Sequence, residues 1–578
     1  MARRRVKSQV GAAAVLVASF VAALALPLAA ISVDVARWYV ELERVQAAAD
    51  AAATAGVTYM PDDFEKARQR AIEIAEDNGF PNTGASSVTV TVGEKPTQLE
   101  VTVASKVGNG FGAAIGVVDT VLARTAVADY NGPAPMGSPC NTMGNEPAGT
   151  PGRPPVASQL LVPSGATCST NPEFWSNIGG PDWPKGNGDQ FMTRTCTSGV
   201  DGCDGTTNLE FDPQGYFYLV RIGPGAVGKP VTIQLYDPAF VAQGDYCETG
   251  PSGSAVDNNN WNPYATTDAI NRYRKLSSTS TNTFCTGDVA TTTAPTVTSF
   301  GLRGPTDLND ARKAPPITSC VRQYPGYAAS DLSRSALRST SSAYNQNLAR
   351  VFHQWVPMCT FTPSEAGDHF IQVRTNVELS TSTPDGNGGY SGNTQVFTQT
   401  GDDTSVGGGG ANRFAIRAFS SGVGAGAISV SAWERMPIYA NATGATTVFN
   451  LVRVIPAAAG KTLVFGFFDV GEAATGGTMR VVPPTDSNMA SNIPGCRGTG
   501  KVTGALTNCR ITGISSAAGW NGKSQQIRVP IPSTYTCDTS SAGGCWFRVE
   551  VDFGSGSSVN DSTTWTAKIE GEPVRLIE

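Results

Sequence analysis

Histidine is nearly missing: His353 and His369 are the only two in 578 residues. A His-based nucleophile triad or a zinc hydrolase therefore has almost no material to work with, and neither a Gly-x-Ser-x-Gly elbow nor a Cys-x-x-Cys knuckle occurs. Charge is also scarce, at 16% of residues with a net of −6. Beyond residue 10 there is no dense Lys/Arg patch, so nucleic acid finds no electrostatic footprint. No cysteine precedes Cys140; the others are Cys168, Cys196, Cys203, Cys247, Cys285, Cys320, Cys359, Cys496, Cys509, Cys537 and Cys545. An even number confined to the later chain reads as disulfides made in an oxidising compartment. Spacing alone does not set connectivity; nearest-neighbour pairing, such as Cys537 with Cys545, is the simplest arrangement. What is plentiful is Gly (64) and Pro (37), scattered between short apolar stretches, which suits many short strands and turns.

Near the N-terminus the pattern changes. Arg3, Arg4, Arg5 and Lys7 precede residues 10–33, which carry no charge. That run is about 24 residues, or roughly 36 Å of helix, enough to cross a hydrocarbon core. The basic flank places the N-terminus in the cytoplasm and the bulk of the chain outside. A cleaved signal peptide is the competing reading. Against it, Val35, Trp38, Leu42, Val45, Ala49, Ala52 and Gly56 recur at spacings of three and four, a heptad seam that carries the helix onward. That seam packs either against partner helices, the reading preferred here, or against the chain's own domain.

Residues 32–56 resemble the N-terminal segment of TadE/TadG-like Flp pilus-assembly proteins. The features that carry the likeness are Val33-Asp34-Val35 at the end of an apolar helix, the aromatic pair Trp38-Tyr39, and Gln46-Ala47-Ala48-Ala49-Asp50-Ala51-Ala52. The resemblance implies an envelope protein associated with tight-adherence pili. Processed pilins carry a Glu five residues after the cleavage-site Gly; counted from Gly11 that position is Leu16, so the resemblance implies anchoring rather than polymerisation. Many TadG-like proteins continue into a von Willebrand A domain with an Asp-x-Ser-x-Ser metal motif. Asp331-Leu332-Ser333-Arg334-Ser335 has the letters but follows no buried apolar strand.

After the anchor and its extension (1–60), residues 64–78 show helical spacing and end at Gly79, a C-cap signal. Residues 88–92 and 99–103 alternate as half-buried strands, and a third strand is expected near 121–128. Together these make a small pilin-like α/β unit over 61–131, followed by a Cys-, Pro- and Gly-rich connector at 132–187. Further on, the chain repeats itself. Residues 217–237 and 449–469 are identical at nine of 21 positions, among them Pro224/Pro456, Gly228-Lys229/Gly460-Lys461 and Asp237/Asp469; such self-similarity marks duplicated structural units. With a nine-residue shift the likeness reaches back to residues 191–194 and 414–417. The expected fold is mostly β (α+β): two related, disulfide-stabilised β-sandwich-like domains at 188–376 and 411–578, joined by a Gly/Ser/Thr-rich linker at 377–410.

Three motif-like stretches and a set of tryptophans bear on chemistry. Gly108-Asn109-Gly110-Phe111-Gly112-Ala113 has the letters of a dinucleotide turn, but its unit is too short for a doubly wound sheet. Gly495-Cys496-Arg497-Gly498-Thr499-Gly500-Lys501 resembles a phosphate loop, except that Val502 replaces the magnesium-binding hydroxyl. Asp385-Gly386-Asn387-Gly388-Gly389 reads as a polar turn before it reads as a calcium loop. Trp175, Trp183, Trp261, Trp520 and Trp565 suit inter-sheet packing better than a sugar platform. No catalytic, cofactor-binding or metal residue is assigned. The expectation is a non-enzymatic, single-pass membrane component of a Flp pilus or related envelope assembly. It would meet other pilus-assembly or envelope proteins through Val35, Trp38, Leu42, Val45, Ala49 and Ala52. The alternative is a surface adhesin or carbohydrate-binding protein, with cell-surface polysaccharide as its partner.

Overall fold

The computed structural model describes the chain apart from residues 1–5, 61–63, 94–97, 131–133, 145–160, 165, 167, 169–173, 243–287, 292–293, 307–310, 334, 338–340, 399–401, 403, 443–445, 472–475, 554–558, 570–573 and 578. It divides into two compact units, residues 1–132 with 571–578, and residues 133–570.

The first unit is built around α1 (Val6–Gly56), one unbroken helix. Among the described residues, no helix is long and apolar enough to cross a membrane. Its second half lies on a sheet of β1 (Ser86–Val92), β2 (Gln98–Gly108) and β3 (Asp119–Tyr130). A second helix, α2 (Phe64–Asp77), packs beside it. Alternation explains the sheet: Leu99, Val101 and Val103 of β2 are fully buried, while the residues between them are only partly covered. Alanine explains the helix. Ala48, Ala49, Ala52 and Ala53 meet Ala67, Ala71 and Ala75 of α2 in one core, and Cβ-only side chains let backbones come close. At Gly56 even a Cβ is excluded, because it would stand 2.6 Å from Leu99 Cδ2 and 2.7 Å from the Ala67 carbonyl. Gly79, at φ 91°, ends α2 in the left-handed conformation that glycine tolerates. A strand from the far end of the chain, Val574–Ile577, completes this sheet against β3; these residues were expected in the second β-domain.

The heptad seam therefore faces inward. Val45, Ala49 and Ala52 are completely buried in the unit's own core, and Val35, Trp38 and Leu42 are partly covered. The expectation that these six residues meet partner helices is corrected. A three-and-four spacing serves equally for a partner helix or for a chain's own sheet, and here the sheet takes it.

In the second unit every named ladder is antiparallel, and strands enclose one large apolar core that runs from Ala134 to Ala567. The internal repeat has a structural counterpart. Tyr216–Ile222, a short 3-10 turn and Val231–Tyr236 in the first copy match Thr446–Arg453, a 3-10 turn and Thr462–Phe468 in the second. The repeated residues explain the matched turns: Gly228 and Gly460 have φ of 72° and 78°, and Asp237 and Asp469 have φ of 51° and 64°. Each Asp accepts a backbone N–H, from His353 and from Gly522. The ladders repeat as well. Val231–Tyr236 lies between Trp355–Phe361 and Gly410–Phe419, as Thr462–Phe468 lies between Ser524–Pro530 and Val559–Ile569.

This pairing moves the expected boundaries. Gly410–Phe419, expected to open the second domain, completes the first copy. The earlier extension also fails, because residues 414–417 are in that strand while residues 191–194 form a loop. The two copies are joined through Phe174–Gly179, which pairs with both Gly410–Phe419 and Arg435–Ala442. That strand is buried throughout, although its surroundings read as an irregular connector. The stretch 377–410 is more than a linker too. Val396 and Phe397 enter a small core with Val321 and Val377, and the Arg374 and Arg303 guanidiniums donate to the carbonyls of Val396 and Phe397. Low hydrophobicity predicted flexibility there, but two buried arginines supply the partners that its backbone needs.

Among the described residues, five disulfides join Cys140–Cys168, Cys196–Cys203, Cys320–Cys359, Cys496–Cys509 and Cys537–Cys545. All follow nearest-neighbour order; Cys247 and Cys285 lie outside the described residues.

Candidate functional site

The motif-like stretches resolve one by one. Asp331 is exposed on a turn, where its carboxylate accepts the Ala328 N–H, and Ser333 Oγ accepts from Ala336; no strand ends there to present a metal motif. The phosphate-loop letters fall on a β-strand, with Gly498 opposite Ile527 and Cys496 bridged to Cys509. Asp385 folds back on its own turn, accepting from Asn387 and Gly389 at 2.7 and 2.9 Å. Among the described residues one group of acid and sulfur side chains lies close enough for a metal, Asp486 with Cys537 and Cys545. Its two sulfurs are joined to each other, and its carboxylate accepts the N–H of Asp538 and of Cys545.

The two histidines are apart in role. His353 is buried against Asp237, and His369 is buried beside Phe361, where desolvation lowers its pKa and favours the neutral ring. Trp175, Trp183, Trp520 and Trp565 are all at most 3% exposed. Trp175 stacks on Tyr236, and Trp565 meets Phe449 and Phe467. They are core, and the sugar platform loses four of its five tryptophans; Trp261 lies outside the described residues.

The dinucleotide-like turn does bind an anion, but the anion is part of the chain. Asp34 stands at the end of the uncharged run and points its carboxylate into the β2–β3 loop. Oδ1 accepts the Gly110 N–H at 2.9 Å, and Oδ2 accepts those of Phe111 and Gly112 at 2.8 and 2.7 Å. Successive N–H groups in a glycine-rich turn form a concave anion site, and glycine suits positions where a carboxylate approaches the backbone. One turn further along α1, Trp38 Nε1 donates to Asn109 Oδ1 at 2.9 Å, and Asn109 Nδ2 donates to the Val117 carbonyl and to Thr120 Oγ1. Ser105 Oγ then donates to Glu41. Three successive turns of α1 are thus pinned to one hairpin. The Gly112 N–H is the largest influence in holding Asp34 below the usual carboxylate range; burial opposes it, while Phe111, Gly110 and Arg37 reinforce it.

A lowered folded pKa makes the clasp's contribution fully present above the unfolded carboxylate value and lost as pH falls through the folded one. Asp34→Ala is expected to speed amide exchange at residues 110–112 by roughly tenfold or more near neutral pH, since exchange reports the local opening. Corrected for intrinsic rates, wild-type protection should fall as the pH drops below about 4, and the variant should show no such step. Equal protection in both proteins at pH 7 would show that Asp34 does not hold the loop.

Part of α1 is uncovered: Val33, Tyr39 and Val40 are exposed, and a groove between α1 and β2 is lined by Val33, Ala36, Arg37, Val40, Glu41 and Val107.

The fold defines a two-unit protein: a helix-on-sheet unit with a long apolar helical arm, and a large disulfide-braced antiparallel β-unit. Residues 11–59 match the family of TadE/G-like Flp pilus-assembly proteins. The signature residues of that segment have visible roles here: Asp34 and Trp38 hold the β2–β3 loop, Gln46 Nε2 donates to Asp50, and the alanines form the core. No match is found among curated proteins. Among solved structures, the N-terminal CBM22-1–CBM22-2 tandem domain of Paenibacillus barcinonensis Xyn10C is similar over 59% of this chain and 78% of that one, with 10% identity and a TM-score of 0.13. So slight an overlap carries no argument about fold or ligand.

Proposed function

We propose that this chain is a structural, non-enzymatic component of a Flp pilus-assembly system, anchored in the cell membrane by α1, with its N-terminus cytoplasmic and everything after the uncharged run outside. The observation that carries this reading is the family match at residues 11–59, whose signature residues fix the arm to the first unit. Three features support the topology. Residues 10–33 are uncharged behind a basic flank. Val15, Leu16, Val17 and Phe20 are all well exposed on the helix, as lipid-facing side chains would be. The disulfides suit an oxidising compartment. Leu16 at the pilin Glu position supports anchoring over polymerisation.

Because the inward seam is taken, partners meet α1 on its open face, at Val33, Ala36 and Val40. A photoreactive residue at Val40, introduced in the native host, should give adducts with other pilus-assembly proteins identified by mass spectrometry, whereas one at buried Val45 should give only internal products. If adducts form from position 45 and none from position 40, the assignment of faces is wrong. Extraction of the chain from washed membranes by carbonate, without detergent, would refute the anchor.

A further inference from the structure

The β2–β3 hairpin tip is unusual for a loop in water. Residues 109–118, Asn-Gly-Phe-Gly-Ala-Ala-Ile-Gly-Val-Val, contain no charged side chain, whereas surface turns normally carry polar ones. Phe111 is 50% exposed, Val117 46% and Val118 65%, and Val121 just beyond is also exposed. About half or more of each of these side chains is open to solvent, although a few residues away Val101 and Val103 of β2 are fully buried.

Position gives these side chains a meaning. The clasp ties Gly110, Phe111 and Gly112 to Asp34, the first charged residue after the uncharged run. At about 1.5 Å of rise per residue, the exposed Val33 and Ile31 lie within roughly 5 Å of it along the axis. The tip therefore stands at the depth where α1 leaves its apolar stretch. The first charges on the hairpin itself are Lys106 and Asp119, paired at 2.8 Å across the base of the loop. An uncharged apolar tip above a paired-charge base has the polarity profile of a membrane interface: acyl boundary, then headgroups.

We propose that the 109–118 tip seats in the headgroup–acyl boundary of the bilayer that α1 enters, as a second membrane contact that fixes the first unit against the surface. This rests on the anchor reading above. Asp34 then has a double role, since its carboxylate neutralises the exposed N–H groups of a loop that must enter a less polar layer, where unpaired backbone donors are costly. Residues 109–118 carry no cation of their own, and Arg37 beside Gly110 faces the Asp34 carboxylate, so the apolar contact does not require anionic lipid and persists in high salt.

The test uses the full chain reconstituted in zwitterionic phosphatidylcholine vesicles, with photoreactive benzoylphenylalanine at one position at a time. Phe111 and Val118 are the test sites. Phe20 reports on the anchor. Val92 is a comparably exposed valine at the other end of the sheet, since it pairs with Leu99 while Gly108 pairs with Asp119. Lipid adducts are expected at 20, 111 and 118 and not at 92, unchanged in high salt. Lipid adducts at 20 but not at 111 and 118 would overturn the tip proposal and leave the anchor standing. Adducts at 111 and 118 with protein in place of lipid would overturn it in favour of a subunit contact. No lipid adduct at 20 would overturn the anchor and the tip together.

Discussion

Ala49→Glu is expected to unfold the first unit and leave residues 133–570 intact. Ala49 has no exposure and sits among Ala52, Ala53, Ala67 and Ala71, so a carboxylate there has neither room nor a partner. An uncompensated buried charge costs about 3–5 kcal/mol. A small unit whose whole margin is in the range of about 5–15 kcal/mol, and here at the low end because half of its buried core residues are alanine, does not survive that comfortably. Val40→Glu, on the exposed face, is expected to change stability by less than about 0.5 kcal/mol. Calorimetry of the detergent-solubilised chain should show one transition lowered or lost in Ala49→Glu and both retained in Val40→Glu. The pair also separates folding from assembly, because partner loss in Ala49→Glu follows from unfolding and partner loss in Val40→Glu does not. A folded first unit in Ala49→Glu would mean that the seam faces outward.

Removing the Cys320–Cys359 bridge is the second large effect. Cys320 is on Pro316–Tyr324 and Cys359 on Trp355–Phe361, the strand that pairs with Val231–Tyr236 of the first repeat copy. The bridge closes a span of 39 residues and that of Cys196–Cys203 a span of 7. In chain-entropy terms these stabilise by about 3.9 and about 2.4 kcal/mol. The double variant Cys320→Ala/Cys359→Ala should therefore lower the denaturation midpoint of the β-unit about one and a half times as far as Cys196→Ala/Cys203→Ala. An equal or reversed order would show that the long span is already held by the ladders around it.

Much of the first unit was legible because its signals are local. The period of two in residues 88–92 and 99–103 and the glycine stop at 79 each depend on neighbours within a few positions. The repeat was legible for a similar reason, since Gly228/Gly460 and Asp237/Asp469 are needed wherever that turn of backbone occurs. The candidate site was not. The Asp34 clasp joins residues 76 to 78 positions apart, and its loop carries letters that are shared with a dinucleotide turn because both are backbone cradles for an anion. The one clue was that an uncharged loop rich in glycine needs its anion from elsewhere, and Asp34 is the first charge after the uncharged run. The tryptophans were legible: inter-sheet packing is the preferred reading, and Trp175, Trp183, Trp520 and Trp565 are buried.

By itself the sequence determined the long N-terminal helix, its family signature, the β-rich remainder, the duplicated turns and the oxidised state of the cysteines, all of which follow from short-range periodicity, backbone chemistry or composition. The tertiary structure alone decided which face of α1 is used, where the repeat copies meet, and that Val574–Ile577 returns to the first sheet. Those outcomes depend on which of several compatible surfaces come together, and a three-and-four spacing or a β-strand pattern is equally satisfied by any of them. Burial settles the choice: the alanines of α1 are small enough to lie on their own sheet, and once they do, the side that carries Val33, Ala36, Tyr39 and Val40 is left for other contacts.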